Sequence, residues 1–182
     1  MPILSLLIFL PIIASLALAF TPKRFVPYFK WVTLIVTGIE LGLCTFLYFQ
    51  FDKQVADYQY LEQYDWITLP LGNLGVGSID YLLGVDGISM PMVLLTGIVM
   101  FIGAISSFEI GTKKRGYYSL YLLLTGSIIG CFIALDMFLF YLFFEFMLLP
   151  MYFLIGLWGG PRREYASIKF FKGKGYSLGI DL

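Results

Sequence analysis

Glu40 and Glu145 are the acids of this chain that stand deep within apolar windows, and proton chemistry is expected there first. An ionisable group at the centre of a membrane helix costs about 2.5–3.5 kcal/mol on insertion scales, several times what one Leu or Phe returns. A carboxyl kept against that cost is a functional candidate, able to take up and release protons where no cation pairs with it. Glu145 sits in Phe140-Tyr141-Leu142-Phe143-Phe144-Glu145-Phe146-Met147-Leu148-Leu149-Pro150-Met151-Tyr152. Pro150 has no N–H for the carbonyl of Phe146, so a free acceptor opens one turn from the acid. Tyr141 and Tyr152 fall on the same helical face as Glu145 and extend the hydrogen-bonding groups along it. The plainer alternatives are a proline kink and interfacial aromatics. Glu40 lies in Thr37-Gly38-Ile39-Glu40-Leu41-Gly42-Leu43, with neither proline nor phenol beside it, and is the secondary candidate. A lone acid of this kind also serves by bonding to a neighbouring helix or facing a wet crevice.

The chain has no histidine, and its two cysteines, Cys44 and Cys131, each lie in an apolar run. Neither a metal site nor a disulfide can be read from them, and Ser/His or Cys/His nucleophilic catalysis is excluded. No nucleotide fingerprint or cysteine cluster marks a cofactor site. With a net charge of zero, there is no electrostatic footprint for nucleic acid. Any chemistry falls to carboxylates, lysines, tyrosines and water.

The elements that position these groups follow from composition. Of 182 residues, 59% are hydrophobic and 13% charged, with a mean hydropathy of +0.86. That balance calls for a bilayer as solvent, and spans of roughly 20 residues are needed to cross it. Five stretches qualify: about 2–20, 31–51, 88–108, 117–135 and 137–158. Lipid offers no hydrogen-bond partners, so each must be a helix, and the expected fold is an all-α polytopic membrane protein. The first stretch ends in Ala17-Leu18-Ala19, like a signal-peptidase site, but its basic residues follow rather than precede it, which favours a retained span.

Lys and Arg alternate between the connections. Lys23, Arg24 and Lys30, then Lys113, Lys114 and Arg115, then Arg162, Arg163, Lys169, Lys172 and Lys174 share one side, and Lys53 alone takes the other. The excess of positive charge in inner loops therefore places the N-terminus outside. The segment from Asp52 to Asp80 is a long acidic exterior loop, whose Tyr58, Tyr60, Tyr64, Trp66 and the run Leu69 to Gly75 read as an ordered cap with turns. Gly126, Gly130 and Ala134 recur one turn apart and predict a helix-packing face. Asp86 and Asp136 read as helix-end caps, and Arg162 and Arg163 as interface anchors beside Trp158.

Several of these segments together resemble a known family. Leu83-Gly84-Val85-Asp86-Gly87-Ile88-Ser89-Met90, Leu94-Leu95-Thr96-Gly97, Ala134 through Tyr141 to Glu145, Leu149-Pro150-Met151-Tyr152 and Leu157-Trp158-Gly159 are similar to the antiporter-like subunits of proton-pumping NADH:quinone oxidoreductase, respiratory complex I. The likeness is to its chain M, chain 4 in mitochondria. It implies that residues 1–171 are the N-terminal part of a longer membrane domain of fourteen or so helices. It also implies that Glu145 is the buried glutamate of the fifth helix, pairing with a lysine of the seventh. NADH, FMN, iron–sulfur clusters and quinone belong by the same resemblance to partner subunits, so this chain holds no cofactor. Family members continue into an apolar sixth helix, whereas Lys172 to Leu182 is polar, an atypical tail read as a fragment end or frame-shifted product.

The expected function is thus a membrane subunit taking part in proton translocation coupled to electron transport. Its partners would be the other membrane subunits of complex I and the lipid bilayer, in a bacterial inner membrane or a mitochondrial one. Two alternatives stay open, a subunit of a multi-subunit Na+/H+ antiporter and a remnant without transport.

Overall fold

A computed structural model describes residues 2–52, 57–70, 76–111 and 113–177. Among them, five helices are long and apolar enough to cross a membrane: α1 (Ile3–Phe20), α2 (Phe29–Gln50), α3 (Ser89–Ser106), α4 (Lys114–Ile133) and α5 (Met137–Trp158). They agree with the expected spans to within a few residues. The second and fourth begin earlier because Lys30, Lys114 and Arg115 carry the helix beyond its apolar window, where long basic side chains reach headgroup level. A sixth helix, α6 (Arg163–Ser177), is polar and runs through Lys172 without a break; 178–182 lie outside the described residues.

α4 is the centre of the bundle, with 56% of its apolar window buried against 22% for α5. Its small residues make this possible. A Cβ on Gly126 would stand 2.9 Å from the Ile8 carbonyl oxygen, and one on Gly130 would stand 2.6 Å from the Phe143 ring. The predicted packing face therefore serves two neighbours, α1 at Gly126 and α5 at Gly130. α2 closes on α3 where a Cβ on Gly97 would meet Cys44 Sγ at 3.4 Å and Leu41 Cα at 3.5 Å.

The long acidic loop is a β-hairpin. β1 (Gln59–Pro70) pairs antiparallel with β2 (Val76–Val85), Glu62 opposite Leu83 and Tyr64 opposite Tyr81. Residues 71–75 of the predicted turn run, and Lys53, lie outside the described residues. Alternating polar and aromatic or branched residues fit a half-covered pleated surface, and the segment is long enough for two strands. Leu83 and Val85 are fully buried in the core that also holds Leu4, Leu7 and Ile133. The hairpin is tied to the helices by Leu135 N–H donating to the Leu82 carbonyl at 3.0 Å, and by Trp66 edge-on to Phe138 at 6.3 Å.

The bundle consequently has two unlike poles. At one, the hairpin meets the starts of α1, α3 and α5. At the other, Arg115 donates to the Ala19 carbonyl at the end of α1, Lys30 lies 5.4 Å over Phe108, Tyr117 meets Trp158 at 5.5 Å, and Arg163 donates to the Leu157 carbonyl at 3.3 Å.

Candidate functional site

α5 begins at a tight junction with α4. The Asp136 carboxylate accepts from Phe138 N at 2.9 Å and Leu139 N at 3.0 Å, meeting two of the backbone donors that a helix start leaves open. Asp86 does the same for the turn into α3, accepting from Ile88 N at 3.0 Å and Ser89 N at 2.6 Å, while its own N–H donates to Ser89 Oγ at 2.9 Å. The Ser89 N–H bond foremost, against a smaller opposing effect of burial, holds the Asp86 carboxyl below its usual range. Asp136 is thus the cap of α5 as expected, whereas Asp86 closes the turn that leads into α3, whose own N-cap position is Ile88.

Nine residues into α5, Glu145 is half-buried. The hydroxyl of Tyr141, one turn earlier and 43% exposed, is hydrogen-bonded to it. Phe143, whose ring fills the hollow at Gly130, precedes Glu145 by two positions, so the two side chains leave the helix about 200° apart. Glu145, Tyr141 and Tyr152 thus share the face of α5 turned away from α4. Tyr152 is half-buried with its ring 5.5 Å from Phe153, and Pro150 is buried inside an unbroken helix. Of the four residues expected to act together, the structure joins Tyr141 to Glu145, and Tyr152 and Pro150 stand along the same helix.

Glu40 is the more deeply buried acid, at 1% exposure, on α2 rather than α5. Neither of its carboxylate oxygens has a hydrogen-bond partner among the described residues.

One firmly bonded carboxylate escaped the sequence reading. Glu62 of β1 reaches the start of α1, where it accepts from Leu4 N at 2.9 Å and Ser5 N at 3.1 Å, and from Ser5 Oγ. Ser5 Oγ also lies 3.1 Å from the Tyr81 hydroxyl, whose pKa is raised chiefly by burial. The signal was available in part: Glu62 is the inward partner in an alternating strand, but its target lies 57 residues away in sequence.

Residues 134–178, which include Asp136, Tyr141, Glu145, Pro150 and Tyr152, match the family described as "NADH:quinone oxidoreductase/Mrp antiporter, TM". Over 170 residues, 93% of its length, the chain is 39% identical to NAD(P)H-quinone oxidoreductase chain 4 of Picosynechococcus sp., covering 30% of that protein. It is a homologue of NAD(P)H-quinone oxidoreductase chain 4. Subunit M of the F(420)H(2) dehydrogenase of Methanosarcina mazei is 38% identical over 173 residues, with 94% of this chain and 33% of that one covered. The homologue spans about 30% of the length of the curated relatives it matches. Its fold is shared with a chain of respiratory complex I from Thermus thermophilus, at TM-score 0.70 and 24% identity over 93% of this chain and 32% of that one. It is shared also with a chain of the Mrp complex from Dietzia sp., at TM-score 0.63 and 23% identity over 91% of this chain and 17% of that one. The chain is a multi-pass membrane protein.

Proposed function

We propose that this chain works as a membrane subunit of a quinone-reducing respiratory complex and carries protons through Glu145. The observation that supports this most directly is the Tyr141–Glu145 pair, because it lies inside the segment matching the family and on a face left uncovered by α1–α4. A hydroxyl donor one turn away steadies the carboxylate while it is charged and leaves it able to accept a proton. The cation that completes such a site would come from a lysine of a later helix. NADH, flavin, iron–sulfur and quinone chemistry would reside in partner subunits of the same membrane.

In the assembled complex, Glu145→Gln keeps shape and hydrogen bonding but removes the titrating proton, so proton pumping linked to NADH oxidation should fall by about tenfold or more. Vesicle pumping, with assembly followed on native gels, measures this. Normal pumping by that variant overturns the role, and loss of assembly makes Glu145 structural.

The orientation follows from the poles. The hairpin pole faces outward and the basic pole faces the cytoplasm or matrix, by the excess of Lys and Arg on inner surfaces. With Cys44 and Cys131 replaced by alanine, a cysteine at Asp57 should react with an impermeant thiol reagent from outside, and one at Gly111 should not. The reverse labelling inverts the assignment. A second reading, a Na+/H+ antiporter subunit, is favoured by the likeness to the Mrp complex. Transport that needs sodium and proceeds without NADH would select it.

A further inference from the structure

On the buried face of α2, Thr33, Thr37, Glu40 and Cys44 follow one another at intervals of four, three and four residues, none more than 1% exposed. The run covers about 16 Å of helix, roughly half of a hydrocarbon core. Thr37 Oγ1 donates to the Thr33 carbonyl at 2.9 Å and approaches the Leu34 carbonyl at 3.2 Å. Thr33 Oγ1 and both carboxylate oxygens of Glu40, by contrast, have no hydrogen-bond partner among the described residues. Three unmet polar atoms along one buried face are unusual, since folded proteins pair such atoms with protein or with water.

The neighbours offer Glu40 no counter-charge. Among the described residues, Cys44 on its own helix and Tyr121 on α4 are the titratable groups that feel its charge. The Tyr121 hydroxyl is committed to the Met100 carbonyl at 2.6 Å. α1 and α3 carry no titratable side chain, and the basic residues of α2 and α4, Lys30, Lys114 and Arg115, all sit in the first turn at the basic pole. Burying a carboxyl without a counter-charge is costly, and even its neutral form needs an acceptor for its O–H.

We propose that α2 carries a second proton site, in which Glu40 exchanges its proton with water held beside the hydroxyls of Thr37 and Thr33, separate from Glu145 on α5. In each transfer the carboxyl O–H bond breaks as a water O–H bond forms, leaving carboxylate and hydronium; the reverse transfer restores the acid. Thr37 and Thr33 extend the polar face from the buried acid toward the start of α2, and Phe29 and Leu47, both buried, bound it at its two ends. The site does not depend on membership of a respiratory complex.

Infrared spectroscopy of the full chain in lipid nanodiscs tests this. The carboxylic-acid C=O band that disappears in Glu40→Gln, or moves in Glu40→Asp should the first variant fail to fold, belongs to Glu40. On transfer to deuterated buffer this band should shift before the buried backbone amides of α2 exchange. Thr37→Val, which keeps the carboxyl and the side-chain shape, should slow the shift about tenfold through loss of one hydrogen-bonding step, and Glu145→Gln should leave it unchanged. No protonated Glu40 band, a band that exchanges only with the backbone, or equal rates in Thr37→Val and the parent chain would each overturn the proposal.

Discussion

The carboxylates at the hairpin pole and those in the middle of the bundle are solved in opposite ways. Glu62, Asp86 and Asp136 each find backbone N–H groups at or beside a helix start, where a negative charge is welcome and donors are otherwise orphaned. Glu145 finds one phenol, and Glu40 finds no partner among the described residues. Outer carboxylates thus stitch the fold together, whereas the inner ones contribute little to it. Poorly satisfied acids are where local consistency is expected to yield to function, which is the reading proposed for Glu145 and Glu40.

The largest expected effect is at the stitching end. Glu62→Ala removes the acceptor for a buried N–H, a partly buried N–H and a hydroxyl, and uncaps an α1 whose preceding Pro2 makes no side-chain cap. A loss of about 3 kcal/mol is expected, the scale for stranding donors bonded to a charged group. Unfolding of the chain in mixed micelles measures it. A change below a few tenths would show that the hairpin docks through Leu83, Val85 and Trp66 alone.

Glu40 should respond with the opposite sign and Glu145 hardly at all. Glu40→Met replaces an unpartnered buried carboxyl with an apolar side chain of similar length, and should stabilise the chain by about 1–2 kcal/mol. The same change at Glu145 removes a half-buried acid together with its Tyr141 bond, so gain and loss nearly cancel, and the midpoint should move by less than about 0.5 kcal/mol. Equal stabilisation at both sites would erase the distinction between them. A destabilised Glu40→Met would mean that the carboxyl has a structural partner.

How much of this was legible in the sequence follows the same division. The spans are visible because lipid forces whole runs of residues to be apolar, and Gly126 and Gly130 announce a close helix contact by their spacing. Glu145 and Tyr141 are legible together because they are one turn apart on one helix. Glu62 on Leu4 and Ser5 was not legible, because nothing local links a strand residue to a helix start so far off in the chain. The hairpin itself hid behind its acidic composition, which reads as loop unless the alternation from Tyr60 to Trp66 is weighed against it. The relative standing of the two inner acids also needed three dimensions. Pro150 and two tyrosines drew attention to Glu145, yet it is Glu40 that α3 and α4 enclose, through close approach at Gly97 that periodicity alone does not reveal.

The smallest effect is the acid response of the Asp86 turn. Its folded-state pKa is lowered, first by the Ser89 N–H bond, so it contributes stability that is fully present above the unfolded value near 3.9 and is lost as pH falls through the depressed folded value. Asp86→Asn retains an acceptor oxygen but no charge, and should lose a few tenths of a kcal/mol at neutral pH, as a helix-start charge in water typically contributes. The difference between parent and variant should then shrink as pH falls through the depressed value, where the parent too becomes neutral. Thermal unfolding of both chains at neutral pH and in this acid range reads the difference directly, since the other acids titrate alike in each. A gap that stays constant with pH would assign the turn's stability to hydrogen-bond shape rather than charge, and would remove Asp86 from the set of carboxylates that hold the hairpin pole by their ionised form.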